Sequence, residues 1–345
     1  MTGIKALARH LDLSIGTVSR ALNDRPDVNP QTRERVIKAA REIGYRPNAS
    51  GRSLRSGRTN TVGLVMETGN AGSRGGDTFF MWLIDAAQEA LAEGGLDLVI
   101  LPCHSADDPV EFLKRQVSHG IVDALVLSAT RQNDARIAYL TEQRLPFVTL
   151  GRSGTPGNYP WIDLDFEGVA QRSLAELVAL GHRRIAVAAA AGDANLAKVY
   201  LDGYRTALDA HGLPIDPELI IRVEPSEAGG VKAAQRLLAL PDRPTALMLG
   251  YEVMALGVYA ELARQGLSPG KDLSVIGLRD NHQLGFLNPK LASFQLDVGD
   301  LGRAVGQTVV ALLGRDGSAE PGNIIWPMQY LSGDSVAPPA RLPRG

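Results

Sequence analysis

The side chains best suited to recognising another molecule lie together near the start of the chain, in the segment SIGTVSRALN at residues 14–23. If this segment is helical, hydroxyl, amide and guanidinium groups share its outer side. Such groups hold phosphates, and an arginine such as Arg20 can donate two hydrogen bonds to a guanine edge. The competing interpretation is that each of these residues is exposed on the surface but contacts no base. The candidate DNA contacts are Ser14, Ile15, Gly16, Thr17, Ser19, Arg20, Asn23 and Asn29.

Three short helices are expected to carry these groups. Apolar spacing predicts a helix at 4–11, and Ser14 as an N-cap predicts a second helix that runs to about Asn23. Asn29 followed by Pro30 predicts the start of a third helix, which ends at Gly44. The first two helices are so short and close that they bury their apolar stripes only by crossing steeply, as in a helix-turn-helix. The inward residues expected on the third helix are Val36, Ile37, Ala40 and Ile43.

Charge is distributed unevenly along the chain. Residues 1–58 contain 12 Lys and Arg against 5 Asp and Glu, a net charge of +7. The remaining residues contain 24 basic and 33 acidic side chains, a net charge of −9, so the sum of −2 conceals both. A basic start on an acidic body is expected where one end meets a polyanion, although a solvated helical face would give a similar count.

From residue 61 onward, apolar strands alternate with amphipathic helices. This alternation predicts an α/β domain of parallel sheets with helices on both faces, and so many strands require two sheets. The expected strands are 61–66, 96–101, 123–128, 147–150, 184–189, 245–250 and 272–277. The expected helices are 79–94, 108–119, 133–143, 167–181, 196–212, 228–240, 251–266 and 298–314.

Ligands of such sheets bind beyond the carboxyl ends of the strands. The residues that follow the expected strands combine aromatic rings with charged groups, which suits a sugar, because a sugar presents apolar C–H faces and a rim of hydroxyls. Core packing of the phenylalanine pair and a structural cap at Asp163 are the alternatives. The candidate ligand contacts are Phe79, Phe80, Arg131, Arg152, Trp161, Asp163, Tyr200, Tyr251, Arg279 and Asp280.

The chain resembles the lactose-repressor/galactose-repressor (LacI/GalR) family of transcriptional regulators over nearly its whole length. The resemblance is carried in order by SIGTVSRALN, VNPQTRERVIKAAREIGYRPN and RSLRSGRTNTVGLV, and then by LVALGHRRIAV and DGYRTAL. It implies an all-α helix-turn-helix head with a hinge helix, followed by an α/β two-lobed sensor domain like the periplasmic binding proteins, with two Rossmann-like parallel sheets.

The resemblance also implies boundaries and partners. The head would cover 1–46, the hinge helix or linker 47–60, and the effector-binding and dimerisation domain 61–345. The first lobe would hold about 61–160 and 293–323 and the second about 163–290 and 327–340, joined by crossovers near 161–163, 291–297 and 323–327. A homodimer would bind a palindromic operator in double-stranded DNA and release it when a sugar binds. In the hinge, Leu54 would be a minor-groove wedge beside Arg52 and Arg55.

In the hinge, Gly51 stands where the family usually has alanine, which should make the hinge helix fold less readily. Three positions of the sensor domain also depart from the usual family pattern. Tyr200 replaces a frequent arginine, Tyr251 a frequent asparagine, and Arg279 an acidic residue. Two added tyrosines favour a disaccharide or glycoside as the effector, whereas the added arginine would favour a sugar acid or sugar phosphate. A purine or another ligand, and a corepressed or activating regulator, remain alternatives.

Other classes of protein find little support. No phosphate-binding loop, zinc-protease motif or nucleophile elbow is present, so we expect neither an enzyme nor a bound metal or cofactor. A solute-binding transport protein is disfavoured because the chain begins without a secretory signal, which also predicts a cytoplasmic protein. No apolar run is long enough to span a membrane. The single cysteine, Cys103, is expected to be a small core residue.

Overall fold

The computed structural model describes residues 3–22, 25–45, 58–68, 78–314 and 321–339. The chain forms two compact units, Met1–Thr59 and Asn60–Gly345. We describe each unit by itself. The described residues of the first form helices without strands, and the second is built mainly from parallel sheets and helices.

The first unit contains helices α1 (Ile4–Leu11), α2 (Ile15–Leu22) and α3 (Pro30–Glu42). Leu7, Val18 and Val36, one from each helix, are fully buried and form the centre of its small core. The three helices therefore begin and end close to the predicted positions. The inward face of α3 was partly mispredicted: Ile37 is 37% exposed, and Ala39 is buried instead. Both positions lie near the border of the apolar stripe, where the spacing pattern discriminates poorly.

The second unit has two lobes. The first lobe contains β1 (Thr61–Glu67), α4 (Phe79–Glu93), β2 (Asp97–Cys103), α5 (Pro109–His119), β3 (Ala124–Leu127), α6 (Ala135–Gln143), β4 (Phe147–Leu150) and β5 (Trp161–Leu164), with α11 (Val298–Leu312) and β11 (Ile324–Trp326) returning from the end of the chain. Its sheet has the order β11-β5-β4-β3-β1-β2, with all neighbours parallel. Helices α4 and α11 pack on one face, and α5 and α6 pack on the other.

The second lobe contains α7 (Phe166–Ala179), β6 (Ile185–Ala190), α8 (Asn195–Ala210), β7 (Ile220–Val223), α9 (Glu227–Leu238), β8 (Ala246–Leu249), α10 (Met254–Arg264) and β9 (Ser274–Ile276). Its parallel sheet has the order β7-β6-β8-β9. Helices α7 and α8 cover one face, and α9 and α10 cover the other. A separate antiparallel pair, β10 (Ser293–Gln295) with β12 (Gln329–Leu331), completes the fold.

All three predicted crossovers coincide with strands, and β10 lies within the one predicted at 291–297. Residues 161–164 pair with β4 as β5, and 324–326 pair with β5 as β11, so both belong to the sheet of the first lobe. The second lobe was predicted to start at 163, which lies within β5 of the first lobe. The first lobe was predicted to end at 323, one residue before β11 begins. Strand β7 was also missed, because IIRV is short and carries an arginine in a half-exposed edge strand.

Local sequence explains most of the remaining elements. Strands β3 (ALVL) and β8 (ALML) are buried at every residue, as expected for parallel strands covered on both faces. Several helices begin with a side chain that accepts hydrogen bonds from the first free amides, which stabilises the helix start. These capping residues are Asp108 of α5, Asp134 of α6, Asp165 of α7, Ser226 of α9 and Asp297 of α11.

Candidate functional site

The second helix of the first unit presents the predicted DNA contacts. Ser14 Oγ accepts a hydrogen bond from the Thr17 amide at 3.0 Å and lies 2.9 Å from Thr17 Oγ1, so Ser14 is the N-cap that the sequence predicted. Val18 and Ala21 turn into the core, which leaves Ile15, 44% exposed, and Gly16 on the outside with Arg20. The start of α2 thus offers a hydroxyl, an apolar group and bare backbone on one exposed surface.

The guanidinium group of Arg20 already has a partner. Its Nε lies 3.3 Å from a carboxylate oxygen of Asp27, and both side chains are at least half exposed. An exposed pair of this kind contributes little stability, so it restrains Arg20 only weakly. The guanidinium group of Arg20 can still bind a nucleobase, because its side chain is half exposed and its N–H donors lie in one plane.

The other predicted DNA contacts are partly accounted for. Ser19 is half-buried on α2. Asn29 Oδ1 accepts from the Gln31 amide at 2.8 Å, so this residue caps α3, and its predicted contact to DNA stays a prediction. Asn23, Arg52, Leu54 and Arg55 lie outside the described residues.

A cavity of about 440 Å³ lies between the two lobes of the second unit, at the carboxyl ends of their strands. Its volume is in the range of small-molecule sites. Six of the ten predicted ligand contacts line it: Phe79, Phe80, Arg131, Asp163, Tyr251 and Arg279. The strand-end rule therefore predicted six residues that line the cavity, and their contact with a ligand stays a prediction.

Four predicted contacts lie elsewhere. Tyr200 is fully buried in the core of the second lobe among residues such as Leu174 and Phe294, and among the described residues its hydroxyl has no hydrogen-bond partner. Asp280 is exposed, and Trp161 and Arg152 are half-buried behind the lining. Burial raises the pKa of Tyr200. The side chain of Tyr200, three residues before Gly203, points into the core and therefore supplies no stacking surface to the cavity.

One side of the cavity is a network of charged side chains, of which sequence reasoning predicted Arg131 but missed Glu67, Asp134 and Arg136. Arg131 donates to both oxygens of Glu67, at 3.0 and 2.7 Å, and Arg136 donates to the same carboxylate at 2.8 Å. Arg136 is 1% exposed and also donates to Asp134 at 2.9 and 2.7 Å. Burial alone would raise the pKa of Asp134, but the hydrogen bonds and charge of Arg136 hold it below its usual value. Arg131 is therefore neutralised by a fixed partner.

The opposite side contains a second paired arginine. Arg279 forms an ion pair with Glu252, and its guanidinium carbon lies 4.3 Å from the ring centroid of Phe79. Glu252 and Arg279 follow strands of the second lobe, whereas Phe79 begins α4 of the first lobe. This cation–π contact therefore joins the lobes within the cavity. Glu252, like Glu67, follows the strand-end rule and could have been found by it.

Asp163 connects the lining to Arg152. Arg152 Nε donates to Asp163 Oδ2 at 2.8 Å, and a terminal nitrogen of Arg152 donates to Glu167 at 2.8 Å. Asp163 is 4% exposed. Burial raises the pKa of Asp163 to about 6, even though the Arg152 charge and hydrogen bonds act to lower it. Arg152 thus positions a cavity carboxylate without itself lining the cavity.

The charges of the lining leave an acidic excess. Five carboxylates, Glu67, Asp163, Asp193, Glu224 and Glu252, accompany two guanidinium groups, Arg131 and Arg279. Both guanidinium groups are paired with lining carboxylates. Such a site favours hydroxyl donors over an additional anion.

The described ranges contain neither a cluster of metal-binding side chains nor a membrane-spanning helix. No group of three or more His, Cys, Asp and Glu there is placed to hold a metal ion. No helix among them is long and apolar enough to cross a membrane.

Cys103 is buried at the end of β2 with 1% exposure, which confirms its predicted core position, and burial raises the pKa of its thiol.

Comparisons with known proteins agree with this architecture. Residues 3–48 match the profile of the bacterial regulatory proteins of the lacI family, and residues 174–336 match that of the periplasmic binding protein-like domain. The solved complex of the transcriptional regulator CelR with cellobiose is 27% identical, with a TM-score of 0.73, and the match covers 97% of this chain and 100% of that one.

Two curated relatives are similar over most of their length. The HTH-type transcriptional regulator AglR of Rhizobium meliloti (strain 1021) is 37% identical over 278 residues, which are 80% of this chain and 77% of that protein. The HTH-type transcriptional regulator RafR of Escherichia coli is 31% identical over 98% of this chain and 99% of its own. Both are HTH-type transcriptional regulators. With its helical head and its two-lobed sensor, the chain belongs to the LacI family of bacterial regulatory proteins.

Proposed function

We propose that this regulator is a homodimeric repressor that binds a palindromic operator and releases it when a neutral disaccharide or glycoside binds between the lobes. The observation that carries the choice of effector is the pairing of both cavity arginines with carboxylates. The proposed ligand contacts are Phe79, Phe80, Asp163, Tyr251 and the Glu252–Arg279 pair.

The charge of the lining argues against an anionic effector. A phosphate or carboxylate would have to displace Glu252 from Arg279, which would leave a buried carboxylate without this partner, or displace Glu67 from Arg131, which would leave Glu67 with Arg136. Removing one partner of a buried pair costs about 3–5 kcal/mol. A neutral ligand avoids this cost, because its hydroxyls can donate to carboxylate oxygens such as those of Asp163 without breaking the pairs.

The rings supply the apolar part of the site. Phe79 and Phe80 pack edge to face with centroids 5.1 Å apart, and Tyr251 lies in the lining of the other lobe. Such rings can cover the C–H faces of sugar rings. The complex of the similar CelR with cellobiose, a neutral disaccharide, supports the same class of effector for this chain.

A panel of ligands tests this choice. We would follow the melting temperature of the full chain with cellobiose, other neutral disaccharides, aryl glycosides, sugar acids, sugar phosphates and purines at fixed ionic strength. A ligand present at a hundred times its Kd adds about 2.7 kcal/mol, roughly a 5 °C rise for a domain of this size. We expect a rise only with a neutral sugar. A rise confined to sugar phosphates or sugar acids would refute the charge argument.

The helical unit supplies the contacts to DNA. Its net positive charge attracts phosphates, and Ser14, Ile15, Gly16, Thr17, Ser19 and Arg20 are proposed to meet the major groove at the start of α2. Because operator DNA is in the cytoplasm, we place the protein there. Operator affinity should fall steeply as salt rises, with a slope set by the number of phosphates neutralised. A flat salt dependence in a fluorescence-anisotropy titration would contradict this assignment.

Dimerisation is proposed through the first lobe. Met81 and Trp82 of α4 are 57% and 63% exposed, and Ile100 of β2 is 44% exposed. A contiguous patch of exposed apolar side chains commonly marks an interface, and Met81 and Trp82 are adjacent on α4. Trp82→Asp should therefore shift the particle mass measured by light scattering from dimer to monomer, with Lys198→Asp, at an exposed position of α8, as the control. An unchanged mass would remove this face from the proposal.

Ligand and DNA are coupled through the two lobes. A ligand that weakens operator binding a hundredfold needs about 2.7 kcal/mol of coupling free energy. We expect the sugar that raises the melting temperature to release operator DNA in an anisotropy titration. Tighter operator binding in its presence would instead identify a corepressed regulator.

A further inference from the structure

The lobes of the sensor unit are joined at one edge of the cavity by backbone hydrogen bonds. The Asn195 amide donates to the Thr130 carbonyl at 3.0 Å, and the Gln132 amide donates to the Asp193 carbonyl at 2.9 Å. Arg131 and Ala194 thereby form an antiparallel bridge between a loop of the first lobe and a loop of the second. Because hydrogen bonds require a particular distance and angle, these two bonds fix the position of one loop relative to the other.

A buried side chain strengthens this seam. Asn195 is 6% exposed, and its Nδ2 donates to the Arg152 carbonyl at 2.8 Å. Since Arg152 belongs to the first lobe and Asn195 opens α8 of the second, this bond also crosses between the lobes. Asn195 thus contributes both a backbone and a side-chain donor to the same junction, yet does not line the cavity itself.

The first lobe offers a rigid acceptor surface to Asn195. Thr130 Oγ1 donates to the Arg152 carbonyl at 2.9 Å, Ser153 Oγ donates to the Arg131 carbonyl at 2.7 Å, and the Gly154 amide donates to the Gln132 carbonyl at 2.9 Å. Three bonds within the first lobe therefore hold its two loops together. Neither loop can follow the second lobe independently of the other.

The start of α8 depends on this surface. Its N-cap position is Ala194, which has no side chain able to cap the helix. Helix starts prefer Ser, Thr, Asp or Asn at that position, because the first amides otherwise lack acceptors. Here the acceptor of the Asn195 amide is the Thr130 carbonyl of the other lobe.

We propose that Asn195 is a positioning residue that clamps the lobes at the edge of the effector cavity, with the first lobe serving as the cap of α8. When the lobes separate at this edge, the first turn of α8 loses its acceptor and the Arg152 carbonyl loses a donor. The clamp therefore biases the sensor toward the arrangement in which Arg131 and Asp193 both face the cavity. Its effect on an effector rests on the proposed function, whereas the clamp itself needs no ligand.

One substitution separates the clamp from an ordinary role in the helix. Asn195→Asp keeps the shape of the side chain and places a negative charge in the first turn of α8, which favours the helix itself. The same change replaces the donor to the Arg152 carbonyl with a second acceptor, so the two oxygens repel. If Asn195 acted only within its own helix, the hydrogen bonds between the lobes would be unchanged or stronger in the variant. If Asn195 clamps the lobes, those hydrogen bonds should be weaker.

Hydrogen exchange with single-amide resolution on the ligand-free full chain measures the difference. The reporter is the Gln132 amide of the first lobe, whose acceptor lies in the second lobe. The Arg131 amide is the internal reference, because it donates to Asp134 within its own lobe at 3.1 Å. In Asn195→Asp we expect Gln132 to exchange about three- to tenfold faster, the factor that one lost hydrogen bond corresponds to, with Arg131 unchanged.

Two further variants complete the test. Asn195→Ala removes the side-chain donor without adding charge, and should accelerate Gln132 by a smaller factor than Asn195→Asp. Lys198→Ala, on an exposed position of the same helix, should leave the Gln132 rate unchanged. Equal Gln132 exchange in wild type and in both Asn195 variants, each confirmed to be folded by circular dichroism, would overturn the proposal whatever the effector proves to be.

Discussion

The buried carboxylate of Asp163 gives a quantitative prediction about stability and pH. Its pKa is raised to about 6, compared with an ordinary value of 3.8. The folded protein therefore holds this proton more tightly than the unfolded chain. The corresponding stabilisation is fully present below pH 3.8 and is lost as the pH rises through about 6. This difference of about 2 in pKa corresponds to about 3 kcal/mol in the free energy of unfolding.

Asp163→Asn replaces the titrating group with a neutral one of the same shape. Its free energy of unfolding should match that of the wild type at about pH 4 and exceed it by up to about 3 kcal/mol at about pH 7.5, where the wild-type carboxylate is ionised. Arg152 loses one carboxylate in the variant but keeps Glu167 at 2.8 Å, so it is not left unpaired.

Urea denaturation followed by tryptophan fluorescence measures this difference. All three tryptophans, Trp82, Trp161 and Trp326, belong to the sensor unit, so the signal reports on the unit that contains Asp163. Protein concentration is held constant, because dimerisation affects apparent stability. Asp209→Asn on the exposed face of α8 is the matched control. A variant less stable than wild type at about pH 7.5, or a difference that does not change with pH, would refute the reasoning and show that the ion pair outweighs burial.

Three other substitutions test separate parts of the molecule. Tyr200→Phe should raise the free energy of unfolding by about 1–2 kcal/mol, because it removes a buried hydroxyl with no partner among the described residues; a loss of similar size in urea denaturation would contradict this. Arg20→Ala should weaken operator binding by about 1–3 kcal/mol and relax specificity at one base pair, whereas an equal loss on non-specific DNA in anisotropy titrations would reassign Arg20 to a phosphate. Gly51→Ala, outside the described residues, should tighten operator binding, because glycine costs a hinge helix roughly 0.5–1 kcal/mol; equal affinities in a gel-shift series would reject it.

The chain's local patterns determined much of what was predicted. Ser14 and Asn29 cap helices where the sequence expected caps, since capping depends on a few neighbouring residues. The alternation of apolar strands with amphipathic helices predicted two parallel sheets, and the strand-end rule predicted six residues that line the cavity. These features depend on period and chain order, which a single sequence contains.

Only the tertiary structure decided which of these groups remain available to a ligand. Arg279 was the reason that an anionic effector remained an alternative, yet Glu252 and the ring of Phe79, distant in sequence, already contact its guanidinium group. Tyr200 was predicted to stack on a sugar, yet the rotation of α8 turns its ring into the core. Asn195 gave no local signal, because its acceptors lie in the other lobe. Side-chain partners across a cavity are set by long-range packing, whereas the positions of strands, turns and caps are set by residues close together in the chain.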